Sequence, residues 1–327
     1  MRVITFIMLI AAVLVFPGCA VERSAVPVSG TEFLLDTVCT ITIYELQDPD
    51  LILRAFELCE ELEALFSISI EGSDVWRINH AGSEIVRVSP ETAEVIREGV
   101  LYGGFSEGLF DITIGRLSRL WDFSGIMAVP DEEDLSAAQK TVDYTQIMVD
   151  GDMVRLANAD AWIDLGGIAK GYIADRLAVF LADNGAASGI VDLGGNIVTF
   201  GERPDGRLWR IGVKHPFGAG GDLFGVIEVG KASVVTSGVY ERSFEIDGVL
   251  YHHILDPFSG FPARSDVVSA TVVSDSSMLG DVLSTVLLLA GSERAEGLLE
   301  RIAGVAGALL ILEDGGHMIF GDIEFSQ

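Results

Sequence analysis

Asp281 and Thr285 stand four residues apart in SSMLGDVLSTVLLLA, residues 276–290. On a helix that spacing puts both side chains on one face, about one turn apart. A carboxylate and a hydroxyl so placed are oxygen donors for a hard cation. Mg²⁺ needs few protein ligands, because waters or phosphate oxygens complete its shell. The competing explanation is a buried aspartate that caps a neighbouring loop. His252 and His253 are the second candidate, since a neutral imidazole can take a proton from a hydroxyl near pH 7. Adjacent strand residues point to opposite faces, so only one of the pair is expected to enter a site. His80, His215 and His317 are isolated and read as structural. Lys170 is the third candidate. It falls in the first turn of a helical pattern, where free backbone N–H groups already favour an anion, and it can meet a phosphate as a point charge. Its alternative is a solvated first-turn lysine.

The stretch that must position Lys170 is AWIDLGGIAKGYIADRLAVFLADNGAASGIVDLGGNIVTFG, residues 161–201. An apolar run ends at Asp164, and Gly166 and Gly167 follow. Ile168, Tyr172, Leu177, Phe180 and Leu181 then recur at helical steps. Asn184 and Gly185 end that helix, and Ile190 and Val191 lead into a second DLGG. The unit reads strand, glycine turn, helix, strand. Its glycines fit neither the phosphate-loop pattern ending GK[ST] nor GxGxxG.

The remaining elements alternate without regular βαβ order, which predicts an α+β fold. Val38, Thr40 and Thr42 alternate with Cys39, Ile41 and Ile43 as a half-buried strand. Residues 50–66 carry an inward stripe of Ile52, Phe56, Cys59, Leu62 and Phe66. SISIEGSDVWRINHAG, residues 67–82, reads as a loop. Residues 89–104 read as a helix, with Ser89 at the N-cap and Pro90 at N1. In SEGLFDITIGRLSRLWDFSG, residues 106–125, Asp111 sits between apolar residues and must be hydrogen-bonded, to backbone or to a ligand. Residues 126–160 are acidic and turn-rich, with a hairpin at Asp150, Gly151 and Asp152. Strands are expected at 209–214, 224–230, 233–236 and 267–274, a hairpin at Asp247 and Gly248, helices over 276–290 and 291–304, and a closing hairpin.

Lys plus Arg number 21 and Asp plus Glu 49, a net charge of −28. That balance excludes nucleic acid as a partner and argues against electrostatic docking to anionic lipid. A phosphate ester would need a divalent cation to offset the repulsion. Arg2, the apolar run VITFIMLIAAVLVF and the Pro17-Gly18-Cys19 junction read as a signal peptide over residues 1–18. Cys19 resembles a bacterial lipobox cysteine, which becomes the lipidated N-terminus. Residues 19–30 read as lipidated cysteine and tether, and 31–327 as the folded domain. The implied place is outside the cytoplasm, anchored to a membrane through lipid on Cys19. Cys39 and Cys59 either pair as a disulfide or remain as two buried thiols.

DLGGIAKGYIAD resembles the signature of the ApbE family, the FAD:protein FMN transferases. Further blocks occur in that family's order: LLDTVCTITIY, GLFDITIG with Trp121, VDLGGNIVTFG, WRIGVKHP, VVTSGVYERSFEIDGVLYHHILDPFSGFPA and SSMLGDVLSTVLLLAG. The resemblance implies an α+β, T-fold-like arrangement of mixed sheets with packed helices. It implies Mg²⁺-dependent transfer of FMN from FAD to a threonine or serine of an acceptor flavoprotein, with AMP leaving. The acceptor would belong to a membrane redox complex or an extracytoplasmic electron-transfer system. Carried over by position, Asp281, Thr285 and the Gly167 carbonyl would hold the metal. Leu35, Leu109, Phe110, Asp111, Asp164, Lys170 and Leu255 would contact FAD. His253, Lys170 and Asp281 would act in catalysis. Tyr240 and Arg242 match a block beside the site. Ser69, Leu35 and Asp36 depart from residues frequent in relatives. Two further readings are FAD hydrolysis to FMN and AMP, and FAD binding without catalysis.

Overall fold

The computed structural model describes residues 26–123, 125 and 127–327. The leader and Cys19 lie outside the described residues. In chain order the elements are β1 (Val28–Leu34), β2 (Thr37–Tyr44), α1 (Leu51–Phe66), α2 (Asp74–His80), β3 (Val86–Arg87), α3 (Pro90–Phe105), α4 (Gly115–Trp121), α5 (Glu132–Gln139), β4 (Ile147–Asp150) and β5 (Met153–Leu156). Then come α6 (Ala169–Asp183), β6 (Ser188–Leu193), β7 (Asn196–Phe200), β8 (Trp209–Lys214), β9 (Leu223–Val229), β10 (Ala232–Gly238), β11 (Ser243–Ile246) and β12 (Val249–His252). The chain closes with β13 (Val267–Ser274), α7 (Ser277–Ala290), α8 (Ser292–Leu299), β14 (Val305–Leu312), β15 (His317–Gly321) and β16 (Glu324–Ser326).

An eight-stranded antiparallel sheet, in the order β1-β2-β6-β7-β10-β13-β14-β15, forms the frame. Both of its faces are covered, and strand alternation sorts the side chains between them. Ala270, Val272, Ala308 and Leu310 join the helical core with α1, α6 and α7. Val234, Val273, Leu309 and Ile311 pack instead on Trp209, Ile211, Phe224 and Ile227 of the small sheet β16-β9-β8. β3-β5-β4 makes a third sheet. A separate apolar cluster of Leu117, Trp121, Leu135, Ala138 and Leu255 ties α4 and α5 to the segment after β12.

The α+β expectation holds, and the long periodic elements fall where the spacing put them. Ser89 caps α3 by accepting from Thr92 N at 3.1 Å. Five local readings need correction. Residues 67–82 contain α2, capped by Ser73, whose Oγ accepts from Trp76 N. The acidic stretch contains α5, which buries only Leu135 and Ala138. The run 161–164 is an extended connection joined to Ile114 by one parallel bridge at Trp162. The second C-terminal helix is α8 alone, ending at Leu299. β1 begins at Val28, inside the stretch read as tether, with Val28 opposite Ile43.

Cys39 and Cys59 are both free and fully buried, on β2 and α1. The neighbouring Cys39 thiol and burial push Cys59 far up from its ordinary value.

Candidate active site

α6 and α7 cross at the centre of the site, and glycine permits the approach. A Cβ on Gly171 would lie 2.3 Å from Ser277 O and 2.6 Å from Met278 Cα. With no side chain there, Gly171 N donates to Asp281 Oδ2 at 2.9 Å. Asp175, one turn along α6, caps α7. Its Oδ1 accepts from Ser277 N at 2.8 Å, and its Oδ2 accepts from Ser276 Oγ at 2.7 Å and Met278 N at 3.0 Å. The helix that carries Asp281 is thereby fixed in register against the helix that carries Lys170.

Asp281 is 5 % exposed. Burial raises its carboxyl above the usual range, while Lys170 and the Gly171 N–H oppose the rise. Asn196, whose buried amide nitrogen has no other partner, faces the same carboxylate and also opposes the rise. Thr285 follows one turn later, its Oγ1 3.4 Å from Ser237 Oγ, and Ser237 Oγ is 2.8 Å from Ser284 Oγ. A buried carboxyl with hydroxyls one turn further along the same helix suits a hard cation. No three His, Cys, Asp or Glu side chains gather among the described residues, so such an ion would keep positions for water or phosphate. These donors therefore fit Mg²⁺, with Asp281 and Thr285 from the protein.

Gly167 opens the turn before α6. A Cβ there would lie 3.0 Å from Phe110 Cε2, so the Phe110 ring packs on this turn. Lys170 makes no ion pair within 4.0 Å among the described residues. Its charge nevertheless pulls down the carboxyls of Asp281, Asp192 and Glu241 and the imidazole of His253. It is the cationic hub of the cleft.

The histidine pair divides as strand geometry requires. His252 is buried and its Nε2 donates to Ala263 O at 3.0 Å, a structural role. His253 ends the β11–β12 hairpin, its N donating to Arg242 O at 3.0 Å and its Nδ1 unpartnered. Burial first, then Arg242 and Lys170, push its pKa down to about 4. It is therefore a neutral imidazole at pH 7.

Other nominated residues fall around this centre with different duties. Asp164 closes the glycine turn: Oδ1 accepts from Gly166 N at 2.8 Å and Oδ2 from Ser118 Oγ at 2.7 Å. Asp111 is buried and already satisfied within the protein. Thr113 N and Oγ1 donate to Oδ1 at 2.8 and 2.6 Å, and Tyr144 N donates to Oδ2 at 2.9 Å. Two backbone N–H groups and the Thr113 hydroxyl hold this carboxylate. Leu109 is buried beside Phe110, and Leu255 lies in the Trp121 cluster.

Leu35 and Asp36 form the tip of the β1–β2 hairpin, with φ of 53° and 55°. Two positive φ values fit a type I′ turn, which usually recruits Asn or Gly. Here the strain, about 1–3 kcal/mol per residue, is held in place. Leu35 N donates to Glu63 Oε1 at 3.1 Å, and Arg242 Nη2 reaches Asp36 O at 3.5 Å. Tyr240 Oη lies 3.5 Å from Ser269 Oγ, and Lys214 sits over the Tyr240 ring at 5.0 Å.

Sequence reasoning missed Glu63, Asp175 and the Gly171 crossing. Each works across more than 25 residues of chain, and although Gly171 and Asp175 both stand inside DLGGIAKGYIAD, the motif does not say what they meet. It also passed over Glu241 and Asp192, whose carboxyls burial raises beside Lys170.

A model of the ApbE family matches residues 35–310. The chain is 38 % identical over 271 residues to a Klebsiella pneumoniae FAD:protein FMN transferase, covering 81 % of this chain and 83 % of that one. It is 34 % identical over 307 residues to the Treponema pallidum FAD:protein FMN transferase, covering 88 % and 84 %. Among solved structures, the Thermotoga maritima ApbE protein superposes with a TM-score of 0.84 at 32 % identity, covering 90 % of this chain and 97 % of that one. The Vibrio cholerae flavin transferase ApbE gives 0.80 at 30 %, with the same coverage.

Proposed function

Since the chain belongs to the ApbE family, we propose that it transfers FMN from FAD to a threonine or serine hydroxyl of an acceptor flavoprotein. The acceptor oxygen attacks the phosphorus of the FMN half, the bond to the AMP phosphate breaks, and AMP leaves. The observation that carries this reading is the convergence of Lys170, Asp281 and His253 from α6, α7 and the β12 end, with the Lys170 charge bearing on both of the others.

Lys170, in the first turn of α6, receives the diphosphate as a point charge. Asp281 and Thr285, with the Gly167 carbonyl, would hold Mg²⁺, which when bound neutralises charge on the phosphate oxygens. His253, neutral at pH 7, takes the hydroxyl proton. The arriving diphosphate offsets Lys170 and Arg242 and makes that imidazole more basic than it is alone. Positioning and electrostatics do most of the work in such transfers.

The test is incubation of the chain with FAD, Mg²⁺ and a competent acceptor, followed by denaturing electrophoresis. A fluorescent flavin band on the acceptor supports the reading, and an unlabelled acceptor refutes it. The cleft rim is open at Gly166 and Arg242, so water has access. AMP released without acceptor would favour hydrolysis as the activity, and FAD retained intact with Mg²⁺ would favour binding alone. We also propose that the chain is anchored outside the cytoplasm through lipid on Cys19, with an electron-transfer flavoprotein as its partner. Replacing Cys19 with serine should release it from membranes.

A further inference from the structure

β11 and β12 form a two-stranded sheet of their own, in which Ser243 pairs with His252 and Ile246 with Val249. The bond from His253 N to Arg242 O, at 3.0 Å, extends that ladder by one pair. Strand alternation then puts Arg242, Phe244 and Ile246 on one face with His253, Tyr251 and Val249. The middle of this face is anchored. Phe244 stacks on Tyr251 at 5.4 Å, Tyr251 on Trp121 at 5.6 Å, and Phe244 meets Phe123 at 5.5 Å. The far pair, Ile246 and Val249, lies beyond the anchor and is exposed. At strand rise it stands about 14 Å from His253. Leu250, on the opposite face, is 48 % exposed.

Arg242 also joins this arm to a second exposed tip. Its Nη2 reaches the Asp36 backbone at the β1–β2 turn and lies 3.9 Å from the Asp36 carboxylate. Beside that turn Phe33 and Val38 stand directly opposite one another, 71 % and 57 % exposed. A single exposed leucine is ordinary on a protein surface. Apolar side chains on two hairpins, tied together next to the proton-accepting imidazole, mark an interaction site. Glu32, Asp36, Glu241, Glu245 and Asp247 are exposed among them. Arg242 is the only Lys or Arg in residues 28–44 and 240–253.

An occupant must answer both features, with apolar side chains to cover the tips and basic ones to meet the carboxylates. A second copy of this chain brings the same net charge of −28 and is repelled. Anionic lipid is repelled in the same way. A protein that receives FMN must bring its hydroxyl to His253, and its approach passes these tips. Resting on the reading of FMN transfer, we propose that the β1–β2 and β11–β12 tips are docking arms for the folded acceptor protein. They hold an apolar face with a basic rim while the hydroxyl-bearing segment reaches His253.

The test takes an acceptor prepared without flavin and measures its binding to the chain directly, without FAD, and then the transfer kinetics. Val249→Ser and Phe33→Ser should each weaken acceptor binding by about five- to tenfold, the size of one apolar contact at an interface. KM for the acceptor should rise in step, with kcat and FAD affinity unchanged, and Val249→Ile should behave as wild type. Glu245→Lys and added salt should each weaken binding as well. Wild-type acceptor binding in both serine variants would overturn the proposal. So would an equal loss of FAD affinity, the mark of a disturbed cleft, binding indifferent to salt, or a dimer of this chain that Val249→Ser breaks. A wild type that binds the acceptor through these tips yet labels nothing would sink transfer and leave the docking arms.

Discussion

Gly171→Ala is the sharpest probe of the architecture. The added methyl would sit 2.3 Å from Ser277 O and 2.6 Å from Met278 Cα. Carbon contacts relax near 3.5–4.0 Å, so α6 and α7 must part by on the order of 1 Å. Both obstacles are backbone and cannot swing away. Overpacking of this kind costs about 1–3 kcal/mol, against a gain of about 1 kcal/mol for removing a helical glycine. Separation also stretches the bond from Gly171 N to the buried Asp281 carboxylate, and bonds to charged groups contribute about 1.5–3 kcal/mol. The net expectation is a loss of about 2–4 kcal/mol, together with impaired transfer. Gly297→Ala on α8 is the control, since nothing lies within 4 Å of a Cβ there. It should stabilise by about 0.4–1 kcal/mol. Urea unfolding monitored by tryptophan fluorescence, with the flavin-transfer assay on the same preparations, separates the two. If Gly171→Ala proves as stable as Gly297→Ala and fully active, the helix crossing does not position the site.

Asp281→Asn keeps the shape of the side chain and an acceptor for Gly171 N; it should abolish Mg²⁺-dependent turnover while circular dichroism stays unchanged. Asp111→Ala strips the partner from two backbone N–H groups and a hydroxyl, so a loss of about 2–4 kcal/mol in urea unfolding is expected. His253 has a pKa of about 4 folded against an ordinary 6.5. Between those values the unfolded chain binds more protons, so its contribution to stability is complete above pH 6.5 and fades as pH falls toward 4. Replacing His253 with glutamine should flatten that part of the stability profile, and an unchanged slope would remove the histidine as its source. Cys39 and Cys59 should resist alkylation in the native chain and react as two thiols in denaturant; a native mass showing none free in denaturant would mean they are bonded.

What the sequence disclosed follows from how far each signal acts along the chain. α1, α3, α6 and α7 carry apolar stripes or caps within a few residues, and their limits came out nearly unchanged. α2 has no long stripe; it is short, polar and started by Ser73, so its composition resembles a loop. α5 buries two side chains and gives almost no periodic signal. At the site, Asp281 and Thr285 were visible because one helix carries both. The residues alone left His252 and His253 equal; the resemblance picked His253, and the fold gives His252 a separate duty at the Ala263 carbonyl. Asp111 shows the limit of the method. A carboxylate among apolar residues demanded partners, but only the fold reveals that Thr113 and Tyr144 supply them.

Asp175 serves α7 from a position 102 residues earlier in the chain. Until that helix docks, the carboxylate has no backbone donors, and Asp281 is not yet opposite Lys170. Docking therefore relieves one acid and delivers the other in the same event. A nascent chain passing through intermediates has no half-built cleft with which to sequester a nucleotide, and ligand capture becomes a readout that the C-terminal third has arrived.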